Sequence, residues 1–268
     1  MPNSSQTGHT TTPDEVFAES SDVTEDRSRM SFLEHLDELR KRIIYSLYAV
    51  GGACVITFYF WKEMYVYLTA YFQHNGGTLI YTRPAGGFMF SMKISFVAAA
   101  FLASPFIFAQ VWAFIAPGLY KREKRVVLPF VASASILFAA GAAFGHLIAY
   151  PAMWKFFNSF AINGVQFFPT IDETFSFYWK MLAGLGAAFE MPVLVYFLAH
   201  FGIVTWQFLL RNFKYAILII FIIAAVLTPS PDPVNQTIFA LPMIGLYVLS
   251  IGVAWMFGKK RPTASEGR

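Results

Sequence analysis

The chain has 268 residues, of which 56% are apolar and only 13% charged, and it contains 30 phenylalanines. A soluble domain carries roughly a quarter charged residues, so this composition excludes a surface facing water throughout and requires one that faces lipid. The net charge of +4 sits in short clusters between apolar runs, which gives no basis for a nucleic-acid partner, and the single cysteine, Cys54, excludes an intrachain disulfide framework or a Cys/His metal site.

Residues 1–30 are rich in Ser, Thr, Asp and Glu and read as a disordered tail. They lack the basic start, apolar core and cleavage site of a signal peptide, so the first membrane helix is expected to direct its own insertion. Residues 31–42, SFLEHLDELRKR, follow. As a helix they place Phe32, Leu36, Leu39 and Ile43 on one face and Glu34, Glu38 and Arg42 on another. Ser31 with Glu34 three residues later has the form of a capping box.

Six apolar runs come next, at about 43–61, 88–116, 126–154, 176–201, 215–228 and 238–257. The first four suffice for a hydrocarbon core of ~30 Å. The fifth, about 14 residues, reaches only ~21 Å. Pro242 interrupts the sixth, so it too is expected to be short, with 229–236 (PSPDPVNQ) as the turn between them. Pro105, Pro151 and Pro192 predict bends, and several bent helices predict a concave wall. Fifteen of the 20 Lys and Arg residues fall on one side of the six spans, in 27–42, 121–125, 211–214 and 259–268. That asymmetry predicts both termini in the cytoplasm. The fold expected is therefore all-α and polytopic: a cytoplasmic tail (1–30), a six-helix transmembrane domain (31–258) and a short basic tail (259–268).

Three carboxylates stand out. Glu38 is either half of an ordinary i,i+4 pair with Arg42 or an acceptor for a partner's guanidinium, which a carboxylate can bind with two parallel hydrogen bonds. Glu123, a lone acid in LYKREKR (119–125), is either local charge compensation or a second such acceptor. Glu190 lies deep in the fourth run, where a charge costs ~2.5–3.5 kcal/mol. It is either a structurally partnered glutamate or an intramembrane polar contact. Gln110, His146, His200 and Lys93 read as helix-end or hydrogen-bonding residues, and Asp232 as a turn residue. No HExxH, GxSxG, P-loop or paired-aspartate box occurs, so no enzyme, cofactor or metal is expected.

HLDELRKR (35–42), QVWAFIAPGLYKRE (110–123), FEMP (189–192) and LTPSPDPVNQ (227–236) before LPM (241–243) together resemble the TatC family, the multispanning subunit of twin-arginine protein translocases. The resemblance implies a signal-peptide receptor and core subunit in the bacterial cytoplasmic membrane, exporting folded proteins at the expense of the proton-motive force. It places Glu38 and Glu123 at positions that hold the two arginines of the signal peptide, Phe114 in the same recognition loop and Arg40 beside Glu38. It places Glu190 at the buried glutamate associated with the single-span partners TatA and TatB, and Asp232 at an acidic residue of the last external turn. Self-association and contact with lipid are also implied. The alternative is a proton-coupled small-molecule exporter with Glu190 as proton carrier, which would call for an internal repeat that the sequence lacks.

Overall fold

The computed structural model describes residues 13–76, 78–115, 127–160, 168–228 and 232–258. Glu123 lies outside them. Among the described residues the regular structure is helical, apart from one isolated bridge, and the rest is turn and irregular chain. Helix α1 (Pro13–Tyr59) starts well inside the stretch whose composition reads as a tail. Residues 14–30 contain neither Pro nor Gly to stop a helix, and Pro13 suits its first turn. Ser31 is consequently interior to α1 and cannot be its N-cap.

After a single turn residue, α2 (Trp61–Gly76) begins the opposite face, and α3 (Gly86–Ile115) returns, with Pro105 absorbed inside it. The third span is composite: α4 (Val127–Phe144), a π-helical turn (Gly145–Ala149) and α5 (Tyr150–Asn158). Pro151 has no N–H to give the ladder, and the backbone widens just before it. The fourth span is α6 (Ile171–Phe189) and α7 (Met191–His200), interrupted at Glu190 two residues before Pro192. Gly202, at φ 74°, ends α7 in the left-handed conformation that glycine adopts without strain. The short α8 (Trp206–Arg211) leads into α9 (Phe213–Leu227) and then α10 (Pro233–Phe257). Among the described residues, five helical segments are long and apolar enough to cross a membrane, and α9 is shorter. Its 15 residues give about 22 Å.

The sixth helix is not short. It has 25 residues, because Asp232 caps it, Pro233 takes its first turn and Pro242 is accommodated within it. Among the described spans only α9 falls below the bilayer thickness.

Within lipid there is no water to exclude, so helices associate through close backbone approach and interhelical hydrogen bonds. Helices α1 and α3 meet at Ala53, Ala99 and Ala103, and the Thr57 hydroxyl donates to the Ser95 carbonyl at 2.9 Å. Helices α4 and α6 approach so closely at Gly141 that a Cβ there would lie 2.7 Å from the Leu185 carbonyl oxygen. On the opposite face α2 seals an aromatic core that includes Phe72, Tyr150, Trp154 and Phe175. A parallel bridge joins Ile80 to Thr170, with Ile171 N donating to Ile80 O at 3.1 Å. Lys93 pairs with Asp172 at 2.8 Å beside it.

Candidate functional site

The two ends of the bundle differ in chemistry. On the entry face, where α1 reaches the membrane, Glu38 sits one helical turn before Arg42. Arg42 Nη2 donates to Glu38 Oε1 at 3.1 Å, and Arg42 Nη1 donates to Gln110 Oε1 of α3 at 3.3 Å. Both side chains of the ion pair remain accessible, Arg42 at 31% and Glu38 at 28%. Glu38 Oε2 has no partner among the described residues. One turn earlier on α1, His35 stacks on Phe114 near the end of α3, with ring centroids 4.4 Å apart and planes 22° from parallel. Glu38 and Phe114, distant in sequence, therefore belong to one α1–α3 surface. Arg40 is exposed on the same helix. Gln110 was legible in the sequence only as a helix-end or hydrogen-bonding residue. Its tie to Arg42 crosses two spans and carries no sequence signal.

Glu190 is the hinge residue between α6 and α7. It is buried at 9% exposure, and its Oε1 has no hydrogen-bond partner among the described residues. Asp232 is an N-cap: its Oδ1 accepts from Asn235 N and its Oδ2 from Asn235 Nδ2, both at 2.8 Å. The turn reading of Asp232 thus becomes a specific capping geometry.

The opposite face holds a polar cluster that sequence reasoning missed. His146, in the π-helical turn, accepts or donates on both ring nitrogens: Nε2 to the Tyr67 hydroxyl at 3.0 Å and Nδ1 to the Tyr178 hydroxyl at 2.8 Å. Tyr71 stacks over the His146 ring at 4.1 Å and donates its hydroxyl to the His146 carbonyl. Burial, with Tyr67 adding to it, pushes the Tyr71 hydroxyl above the ordinary tyrosine range, so it stays a donor. His146 reads in sequence as a local helix residue, whereas it joins three elements. The widened backbone around it was the only available sign, through Pro151.

No group of three His, Cys, Asp or Glu side chains among the described residues could hold a metal ion. Comparison with known proteins adds identity to this geometry. The family model for the Sec-independent protein translocase protein TatC matches residues 34–242. A TatC protein of Koribacter versatilis is 43% identical over 251 residues, covering 89% of this chain and 92% of the relative. One from Helicobacter pylori is 44% identical over 222 residues, covering 83% and 88%. A crystal structure of a twin-arginine translocase receptor TatC superposes with a TM-score of 0.75 at 34% identity, covering 83% of this chain and 99% of the other. These matches displace the small-molecule exporter as a reading of Glu190.

Proposed function

The chain belongs to the TatC family, multi-pass membrane components of the Sec-independent protein translocase, and from that premise we propose that its α1–α3 surface receives the twin arginines of a cargo signal peptide. The observation that carries this is Glu38. It is a partly exposed carboxylate with one oxygen unengaged among the described residues, held by Arg42 of its own helix and one turn from the His35–Phe114 stack. Two adjacent guanidiniums need two separate acceptors, because one carboxylate fully serves only one fork. Glu123 is the second acceptor in this reading. Arg40 and Phe114 border the first.

The asymmetry of Lys and Arg supports placing this face in the cytoplasm, with both termini there, in a bacterial cytoplasmic membrane. The apolar part of the peptide then lies along the wall formed by the bent helices. Glu190, buried at the α6–α7 hinge, serves a polar contact with single-span TatA- or TatB-type partners. Asp232 acts through the cap it provides to α10. The proton-motive force supplies the energy.

The test is crosslinking of a twin-arginine signal peptide to the purified protein. Glu38→Ala and Glu123→Ala should each lower arginine-dependent capture by about tenfold or more, the scale of a lost hydrogen bond to a charged group. Glu190→Ala should leave capture intact and weaken co-purification of the single-span partners. Full, arginine-dependent capture by both of the first two variants would overturn the assignment.

A further inference from the structure

Glu38 is paired with a guanidinium of its own chain. Arg42 does not present its fork. One nitrogen reaches Oε1 at 3.1 Å and the other turns away to Gln110 at 3.3 Å. That contact is longer than the 2.7–2.9 Å of a strong charge-assisted bond. We infer that Arg42 is a specificity-determining residue of the peptide site: it neutralises Glu38 in advance, so that an incoming cation is selected by hydrogen-bond geometry and not by charge. The inference rests on the reading of Glu38 as an arginine acceptor.

The physical reason lies in how the two basic side chains gain from a carboxylate. A lysine ammonium is a compact point charge that gains chiefly from Coulomb attraction. A carboxylate already paired with Arg42 offers little of that. A guanidinium gains two directional bonds as well, and these remain available because Oε2 has no partner among the described residues. Oε1 accepts the second bond beside the one from Arg42, since an ionised carboxylate has about four lone-pair sites. Gln110 anchors the other Arg42 nitrogen: a neutral amide oxygen that does not compete for the incoming peptide. The partial exposure of both members of the pair leaves the carboxylate within reach of the peptide at the surface.

The test uses the full chain in detergent with two fluorescent signal peptides, one bearing Arg-Arg and one Lys-Lys, titrated by anisotropy. Arg42→Gln should tighten the Lys-Lys peptide by about fivefold, the scale of a partly exposed ion pair, and the Arg-Arg peptide by less than about twofold. The preference for arginine therefore shrinks. Arg42→Lys keeps the neutralising charge and should keep the preference, which also shows that position 42 tolerates replacement. An unchanged preference in Arg42→Gln overturns the inference, as does parallel weakening of both peptides, the signature of a merely structural Arg42. Glu38→Gln separates the two levels: if both peptides bind it as they bind the unaltered protein, the acceptor reading itself falls, whatever Arg42 does.

Discussion

The entry face and the opposite face are built from the same helices and to opposite ends. On the opposite face, Phe72, Tyr150, Met153 and Phe175 are almost wholly buried, and the His146 ring uses both nitrogens. A backbone bridge and an ion pair tie α6 to the segment before α3 and to α3 itself. On the entry face the polar groups of α1 are accessible, and α1 is held mainly by α3 through small residues and the Arg42–Gln110 tie. Buried, closely packed groups resist change. Accessible groups with spare hydrogen-bonding capacity are what a receptor must keep. The difference assigns stability to one end and recognition to the other.

That division is broken most severely where the helices have no room. Gly141→Ala sets a Cβ 2.7 Å from one backbone atom and 2.8 Å from another on α6, neither of which can rotate away. The expected cost is about 3 kcal/mol, read as a large drop in thermal midpoint in detergent. Tolerance of alanine would mean that α4 and α6 slide freely, and that the rigid half is not rigid. A smaller effect is expected at the polar cluster. His146→Phe retains the stack on Tyr71 and removes both ring hydrogen bonds, leaving the Tyr178 hydroxyl buried without its partner. A loss of about 1–3 kcal/mol follows, with peptide capture unchanged. Glu38→Gln should show the reverse: stability within about 0.5 kcal/mol of the unaltered protein and loss of arginine-dependent capture.

Much of the membrane plan was legible because lipid imposes it. Long apolar runs specify spans. What sequence could not show was where proline would be tolerated. Pro105 and Pro242 are absorbed inside continuous helices, whereas the π turn and the Glu190 interruption accompany Pro151 and Pro192. The hydrogen bond a proline removes can be recovered by neighbours that the sequence does not reveal. The start of α1 was hidden for a related reason: acidic composition argues against a packed core but not against a helix. At the candidate site, Glu38 was visible as a carboxylate at a membrane entry. Its coupling through Arg42 to Gln110, and the His35–Phe114 stack, depend on α1 and α3 lying side by side. No local pattern encodes that.

The smallest effect is expected from the most conspicuous charge contact. Lys93 and Asp172 are 2.8 Å apart, yet their side chains are 47% and 30% accessible, and water or headgroups compensate either partner once the other is lost. The tie between the two segments of this face does not depend on them. Ile80 N donates to Pro169 O and Ile171 N donates to Ile80 O, main-chain bonds that no side-chain substitution removes. Lys93→Gln should therefore change stability by less than about 1 kcal/mol, measured by thermal unfolding at low and high salt, and the low-salt difference should shrink as salt screens the pair. A loss of several kcal/mol that persists at high salt would mean that this face is clamped by a desolvated charge. Rigidity there would then be electrostatic in origin, and the contrast with the entry face would have to be redrawn as two charged sites, one closed and one open.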